Sequence, residues 1–512
     1  MLPVITLVCL CLPAPFVSTA SFDASAAQRR AAFANVGAPV TNVSLPVLDG
    51  ISSLTPNTTF VIPNASSSVE SAGAFDYRQA LRLPWQYLKA ERLGKLPADN
   101  GIPWRADSFL DDPVPNGLAD AGDFLVCNFP LGQSLTLLGL SLVEFGEGYA
   151  AAGATADALD ALRWGLDFLV ASRVSDTETV VQVGNSGTSH SFWLPAEQAD
   201  RAEGARPAYK VSPSVPGSDV QGAMAGALAV GSIVYSDEDD AYSRHLLANA
   251  RDLYALATSF PGTYNSVQDA AAIYPSSGFQ DDLAFAGALL HLKTNESHYL
   301  SDAQRYYGQA GELSTYGFSW DTKNAGAALY LGLLLPQPAA QPYLQAVSSY
   351  LDSFKDGKNG VTLTPKGFSF LSKWSSLRYS LSAATIGSIY AKRVPSDPST
   401  HHFQCWVQRQ VDIVLGSNAG FSYLIGFGSK YPQQPHNRGS SCKGPTGVCG
   451  FDTFNSAAPN PNTLIGAMVG GPDANDAYKD IRNNFEQNEP SIDGITSLLS
   501  PLAYTASSSI QC

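Results

Sequence analysis

Two groups of acidic residues, far apart in the chain, suit acid–base hydrolysis of a glycosidic bond. Glu489 lies in the segment Asn488–Asp493, and Asp120 and Asp123 lie far upstream. Such hydrolysis needs a protonated carboxyl group beside the leaving oxygen and an ionised carboxylate that takes a proton from water. The two groups could perform it only if the fold brings them to opposite sides of one cleft.

Each acid also has a plain structural explanation. Gly122 permits a tight turn that would aim Asp120 and Asp123 the same way. The same pair could instead cap the helix predicted to begin near Gln133, where negative charge is favoured. Glu489 could be a solvated loop residue, so the residue types alone leave both interpretations open.

Two further loops carry side chains that can bind sugars. His436 and Arg438 lie in a proline-containing turn, where they could hydrogen-bond hydroxyl groups or keep a carboxylate ionised. Trp374, Arg378 and Tyr379 place an aromatic ring, a cation and a phenol at one loop–helix junction. Alternatively, Trp374 packs in the core and Arg378 pairs with a structural acid.

A third loop could hold a metal ion. Asp281 and Asp282 follow a turn that contains Ser277 and Gly278, and calcium accepts carboxylate and backbone carbonyl oxygens. The spacing fits no EF-hand loop, and a helix N-terminus explains the paired acids equally well.

Composition argues against nucleic acid and anionic membranes as partners. The 512 residues include 45 acidic and 31 basic side chains, which gives a net charge of −14, and no run of Lys or Arg stands out. Apolar residues make up 45% and charged residues 15% of the chain, which is typical of a globular protein. The sequence lacks a His-Glu-x-x-His helix, a phosphate-binding Gly-Lys-Ser/Thr loop and a Gly-x-Ser-x-Gly elbow.

The N-terminal region predicts secretion. Residues 1–20 resemble a signal peptide, with the apolar run Val4–Leu12 and small residues before a cut after Ala20. Residues 21–72 are rich in Ser, Thr and Pro and read as an exposed extension, followed by a catalytic domain over 73–512. Four glycosylation acceptors are present, three of them in or near this extension: Asn42, Asn57, Asn64 and Asn295.

Cysteine spacing predicts one disulfide. Cys442 and Cys449 bracket a short Gly/Pro loop and are the expected pair. The pairing of Cys127, Cys405 and Cys512 stays open, and the odd number outside the signal peptide leaves at least one thiol unpaired.

Apolar residues at three- and four-residue steps predict an all-α fold of about twelve helices. The predicted ranges are 75–93, 132–150, 155–172, 219–235, 239–259, 280–294, 298–311, 322–335, 340–355, 379–393, 403–416 and 493–506. Twelve helices in consecutive hairpins can close into a double ring whose inner six are apolar on both faces. The longest loops (94–131, 174–218, 260–279, 356–378 and 417–492) would then form an open substrate cleft at one end.

Ten short segments, taken in order, resemble glycoside hydrolase family 9, the inverting cellulases with an (α/α)6 barrel. The resemblance runs from about Phe75 to Tyr504 and rests on these segments: Gly94–Asn100, Pro103–Ser108, Asp120–Asp123, Gly217–Val220, Phe318–Asp321, Trp374–Tyr379, Gly426–Lys430, Pro435–Arg438, Gly470–Asp476 and Asn488–Asp493. One such segment would be weak, but all of them in family order are specific.

The resemblance implies a role for each matching residue. Asp123 matches the general base, Asp120 a residue that positions the water, and Glu489 the general acid. Matches to substrate-binding residues are His190, Trp193, Trp374, Arg378, Tyr379, His436 and Arg438. Matches to a calcium site are Ser277, Gly278, Asp281, Asp282 and Asp321. No cofactor is implied for the chemistry itself.

The implied protein is a secreted, monomeric endo-β-1,4-glucanase that acts on cellulose or soluble β-1,4-glucans with inversion. A processive or exo-acting enzyme, one specific for mixed-linkage glucan or xyloglucan, and a glucan-binding protein without catalysis are the alternatives. Three departures from the family pattern are visible. Asn437 stands where a second His is usual, and Gly494 where a Tyr that contacts sugar is usual. Gly117-Leu118-Ala119 stands where a Gly-Gly-aromatic-aromatic run is common.

Overall fold

The first predicted helix, over 75–93, is wrong in one respect: it is two helices, Tyr77–Leu81 and Pro84–Ala90. Pro84 has no N–H to continue the first helix but suits the first position of the second. The computed structural model describes residues 75–311, 313, 317–508, 510 and 512. The predicted leader (1–20), the extension (21–72) and the acceptors Asn42, Asn57 and Asn64 lie outside these residues.

The described residues are mostly helical and belong to one compact unit. In chain order the α-helices are α1 (Tyr77–Leu81), α2 (Pro84–Ala90), α3 (Asn128–Ala152), α4 (Thr155–Ala171), α5 (Ser186–Ser189), α6 (Ala196–Glu203), α7 (Ser218–Val234), α8 (Asp240–Ser259), α9 (Gln268–Ile273), α10 (Gln280–Thr294), α11 (Ser297–Ala310), α12 (Asn324–Leu334), α13 (Gln341–Asp356), α14 (Ser376–Arg393), α15 (Thr400–Leu415), α16 (Arg438–Ser441), α17 (Phe451–Phe454), α18 (Phe485–Asn488) and α19 (Ile492–Ser507), with a 3₁₀ turn at Tyr264–Ser266.

The predicted (α/α)6 barrel is confirmed. Helices α3, α7, α10, α12, α14 and α19 pack side by side in that order, and α19 returns to α3, which closes an inner ring. Each outer helix packs on two neighbouring inner helices, and the outer ring consists of α1, α4, α8, α11, α13 and α15. Apart from the first, every predicted helix matches one of these within four residues at each end.

The inner helices are buried around most of their circumference, as the apolar run in α3 predicts. Small residues allow the helices to approach closely. A Cβ at Gly132 in α3 would lie 2.8 Å from the backbone carbon of Ala223 in α7, so a larger residue there would push the two helices apart.

Short strands, which the helical periodicity did not predict, connect the long loops. Strands β1 (Val126–Cys127), β2 (Thr179–Val183) and β3 (Ala208–Val211) form an antiparallel sheet in that order. Val126 pairs with Val183, and Thr179 with Val211. A second pair, β4 (Thr362–Leu363) and β5 (Ser369–Phe370), forms a hairpin. The first sheet fixes the segment after Asp123 against the segment that leads to His190.

Two disulfides hold loop and terminus. The predicted pair Cys442–Cys449 is confirmed, and Cys405 in α15 pairs with Cys512. Cys127 is a buried free thiol. Asn295, the acceptor that the structure describes, is exposed at the end of α10. None of the described helices is both long enough and apolar enough to cross a membrane.

Candidate functional site

The fold joins the two distant acid groups directly. Ala121 and Ser491 form an isolated antiparallel β-bridge, and the N–H of Ile492 donates to the carbonyl of Asp120 at 2.9 Å. Glu489 stands two residues before this bridge, at the end of α18. The bridge therefore places Glu489 and the Asp120–Asp123 turn at one end of the barrel.

Neither aspartate caps α3. The helix begins at Asn128, its N-cap residue is Cys127, and no side chain bonds to the cap. The capping explanation for Asp120 and Asp123 is therefore wrong. Gly122 lies in a turn, as predicted, but its φ is not positive. A Cβ there would lie 2.7 Å from the Cα of Asn437, so glycine is needed for close approach of the two loops.

Asp123 is held as a carboxylate. Its Oδ2 lies 3.2 Å from Nε2 of His190, and its Oδ1 accepts the N–H of Leu125 at 3.2 Å. Burial alone would raise its pKa, but the hydrogen bond and charge of His190, the charge of Arg438 and the Leu125 N–H outweigh burial and lower the pKa. Asp123 is thereby suited to accept a proton.

His190 is itself oriented by a helix backbone. Its Nδ1 bonds to the carbonyl of Ser186 at 2.7 Å, so Nε2 faces Asp123. The hydrogen bond to Asp123 raises the pKa of His190, although burial opposes this. The ring is about half exposed, so it borders the open site as well as touching the carboxylate.

The pKa of Asp120 is shifted in the opposite direction to that of Asp123. Burial, reinforced by the nearby charges of Asp493 and Asp123, raises its pKa well above the ordinary value, while the Tyr274 hydroxyl that donates to Oδ2 acts in the other direction. Asp120 is therefore protonated more readily than its neighbour Asp123, although only two residues separate them in the chain.

Glu489 has the properties of a proton donor. Burial, together with the negative charge of Asp123, raises its pKa to about 8. Its side chain is still 21% exposed, and Oε1 lies 3.9 Å from Nε2 of His436. It is not the freely solvated loop residue that the sequence also allowed.

His436 is a neutral ring on a rigid base. Its Nδ1 bonds to the carbonyl of Arg482 at 2.8 Å, and burial lowers its pKa to about 4. Trp193 packs edge-on against it at 5.0 Å and is 4% exposed. Its indole N–H donates to Ser441 at 2.8 Å. Trp193 thus lies beneath His436, with little surface left for a sugar.

Arg438 is also buried behind the site. Its Nη1 donates to the backbone carbonyl of Asp123 at 3.2 Å, and Ser189 donates to the same carbonyl. The guanidinium lies among the rings of Phe124, Phe192 and Trp193. Arg438 therefore contributes charge and position to Asp123.

The Trp374–Tyr379 junction separates into two parts. Arg378 Nη1 lies 2.5 Å from Asp493 Oδ2, and its Nη2 donates to the Tyr379 hydroxyl at 2.9 Å, which realises the ion pair that the sequence left open. Trp374 is 47% exposed and stacks on Phe485 at 4.9 Å, so its core-packing explanation is wrong. The exposed pair Trp374–Phe485 adjoins His436, since Phe485 lies 6.0 Å from that ring.

Four important side chains were not found from the sequence. Tyr274 and Asp493 contact Asp120 and Arg378 as described above. Asp269 accepts four hydrogen bonds from Gln182, Asn185 and Ser186, and so fixes the segment that carries His190. Glu91 accepts from Asn437 Nδ2 at 2.8 Å. Only Asp493 had a signal, because it ends the acid motif.

The residues matched to a calcium site fit a metal poorly. Nζ of Lys323 lies 2.6 Å from Oδ1 of Asp282, and both side chains are buried. Asp281 accepts the backbone N–H of Lys323, and Asp321 accepts that of Ser277. Over the described residues, no group of three or more His, Cys, Asp or Glu side chains is arranged to hold a metal ion.

Comparisons with known proteins agree with this geometry. Residues 77–502 match the family described as Glycosyl hydrolase family 9. Endoglucanase 15 of Arabidopsis thaliana is 33% identical over 467 residues, which cover 84% of this chain and 94% of that protein.

Solved structures also resemble this one. An endoglucanase from the termite Nasutitermes takasagoensis is 36% identical with a TM-score of 0.79, over 85% of this chain and 99% of that one. The endoglucanase CelQ of Clostridium thermocellum, complexed with cellobiose and cellotriose, is 30% identical with a TM-score of 0.75, over 85% and 71% of the two chains.

Proposed function

This chain belongs to glycosyl hydrolase family 9, and from that membership we propose that it is an endo-β-1,4-glucanase that cleaves internal bonds of cellulose or soluble β-1,4-glucans with inversion. One observation carries the proposal: two carboxyl groups in one site have pKa values pushed in opposite directions. That of Glu489 is raised to about 8, and that of Asp123 is lowered. Such a separation assigns the acid and the base.

The proposed reaction is a single displacement. Protonated Glu489 gives its proton to the glycosidic oxygen as the bond to the anomeric carbon breaks. Asp123 takes a proton from a water molecule, whose oxygen attacks the anomeric carbon from the opposite face. For such a water to fit, the carboxyl groups of an inverting site stand roughly 6.5–9.5 Å apart. Asp120, which is held by Tyr274 and has a raised pKa, orients the water.

The sugar chain would be held along the loops. The exposed face of Trp374 offers a stacking platform. His436 Nε2, His190 and Tyr379 can bond to hydroxyl groups near the cleavage point. Arg378, Arg438 and Trp193 act from behind: Arg378 balances Asp493, Arg438 holds Asp123, and Trp193 supports His436.

Gly494 marks a difference in this cleft. It lies in the first turn of α19, and a Cβ there would meet only Oγ of Ser491, at 3.0 Å. Without a side chain at this position, we expect weaker contact with the sugar next to the cleavage point.

The setting of the enzyme is part of the proposal. The predicted leader and the two disulfides support secretion into an oxidising compartment, and we expect a monomer. The catalytic steps use carboxyl groups of the chain. Calcium, which the resemblance places at Ser277–Asp321, would have a structural role only.

The decisive experiment pairs Glu489→Gln with two substrates. The variant should hydrolyse soluble cellulose about 100- to 10,000-fold more slowly, since it has no proton to give. A β-cellobioside with an acidic phenol as leaving group needs no proton, so its hydrolysis should fall far less. Asp123→Asn should lose both activities.

Glu486→Gln is the matched control, because Glu486 lies on the same short helix and pairs with Lys373 on the surface. Proton NMR of the first product formed from cellopentaose should show the α-anomer. Equal losses on both substrates for Glu489→Gln would refute its role as the acid, and a β-anomer would refute inversion.

A further inference from the structure

Lys323 is a buried ammonium group at the start of α12. Its side chain is 2% exposed, and that of Asp282, 2.6 Å away in α10, is fully buried. Nζ also donates to the carbonyl of Trp320 and lies 4.5 Å above the ring of Phe129. Lysine is rarely buried to this extent without a partner of opposite charge, and Asp282 is the acid that lies beside it.

Each of the neighbouring acids Asp281 and Asp321 has one oxygen that accepts a backbone N–H. Oδ2 of Asp281 accepts the N–H of Lys323 at 2.6 Å, and Oδ1 of Asp321 accepts the N–H of Ser277 at 2.7 Å. Calcium needs six to eight oxygen ligands at about 2.3–2.6 Å. A metal ion placed among these carboxylates would face the Lys323 ammonium at close range, since Nζ lies 2.6 Å from Oδ1 of Asp282.

We propose that the ammonium group of Lys323 supplies the positive charge at this place in the fold, and that the protein is stable without calcium. The inference does not depend on the proposed activity. It concerns how α10, α12 and the loops before them are held together, whatever the substrate.

The ion pair also supports the catalytic acids through a short chain of contacts. Lys323 holds the carbonyl of Trp320, and the Trp320 ring packs edge-on against Tyr274 at 4.9 Å. The hydroxyl of Tyr274 donates to Asp120. Breaking the Lys323–Asp282 ion pair should therefore loosen the position of Tyr274 and also lower the stability of the fold.

The first test uses the purified wild-type protein. Its metal content is measured by mass spectrometry, and its melting temperature is measured with EDTA and with added calcium chloride. We expect less than one-tenth of a calcium ion per chain and the same melting temperature, within one degree, in both solutions. Stoichiometric calcium, or a melting temperature that EDTA lowers and calcium restores, would overturn the proposal.

The second test asks whether the pair itself holds the fold. Lys323→Met should lower the melting temperature, because it leaves Asp282 buried and unpaired. Lys323→Met combined with Asp282→Asn should recover part of that loss. Lys210→Met, at an exposed ion pair with Glu178, is the control and should change little. A double variant that is no more stable than Lys323→Met would contradict the proposed pairing. A melting temperature of Lys323→Met equal to that of the wild type would contradict it as well.

Discussion

Replacing His190 by glutamine should move the acidic limb of the pH–activity profile to higher pH. In the wild type the His190 cation and Arg438 keep the pKa of Asp123 low against burial. Glutamine fills a similar space and can still donate a hydrogen bond, but it carries no charge. Burial then dominates, the pKa of Asp123 rises, and the fraction of ionised base falls first on the acidic side.

The size of the shift follows from the geometry. His190 Nε2 and Asp123 Oδ2 are 3.2 Å apart, and the two side chains are 51% and 16% exposed. Because the imidazole is so open to water, a dielectric constant near that of water is appropriate, which gives about 1.3 kcal/mol for the pair. That corresponds to roughly one pKa unit. The basic limb, set by Glu489 with a pKa of about 8, should move much less.

The assay is kcat/KM on a soluble cello-oligosaccharide, measured from pH 3 to pH 9, because this ratio reports ionisations of the free enzyme. His298→Gln is the matched control, since His298 is another exposed histidine, 3.8 Å from Glu296 on the outer ring. If the acidic limb of His190→Gln coincides with that of the wild type, the charge of His190 does not set the ionisation of Asp123. An equal shift in His298→Gln would refute the argument in the same way.

Three further substitutions test the positioning of the site. Gly122→Ala should lower kcat/KM at least tenfold, because the new Cβ would lie 2.7 Å from Asn437 Cα and force two catalytic loops apart. The control is Gly308→Ala in α11, where a Cβ meets nothing within 4 Å. Equal kinetics for both variants would contradict this account. Asp269→Asn should shift the acidic limb in the same direction as His190→Gln, since Asp269 accepts four hydrogen bonds from the segment that orients His190. A loss of stability with an unchanged pH profile would show that the role of Asp269 is structural only. Trp374→Ala should raise KM about 2- to 10-fold for long cello-oligosaccharides with little change in kcat, as expected for one lost aromatic contact. If the KM of the variant equals that of the wild type at every chain length, the exposed ring binds no sugar.

The barrel could be predicted from the sequence because its signals are local. Apolar residues repeat at helical steps along each inner and outer helix, and turn residues separate them. The break before Pro84 is local too, but the continuous periodicity on both sides of it masked the proline. Cys442 and Cys449 could be paired because they are close in the chain, whereas Cys405 and Cys512 meet only after α15 and the C-terminus have packed.

The supporting residues of the site could not be predicted for the opposite reason. Tyr274, Asp269 and Glu91 gain their roles from contacts with residues more than 80 positions away. A tyrosine or acid outside a recognised motif has no local feature that separates it from a surface residue. The same is true of Lys323, which follows a polar segment and reads as an exposed helix start, yet is buried against Asp282.

The distribution of cations explains which acids of this site ionise. Five carboxyl groups lie together (Glu91, Asp120, Asp123, Glu489 and Asp493), and desolvation disfavours the charged form of the first four. Arg378 is committed to Asp493, while His190 and Arg438 are committed to Asp123. The pKa rises for the acids that have no dedicated cation. That of Asp120 is raised well above its ordinary value, and those of Glu91 and Glu489 are each raised to about 8.

The negative charge of Asp123 further raises the pKa of Glu489, so the ionised base itself helps to keep the acid protonated. The productive combination of one charged base and one neutral acid is thus the favoured one over several pH units. It depends on where His190 and Arg438 are placed, at the end of α5 and the start of α16, because these two cations lower the pKa of Asp123.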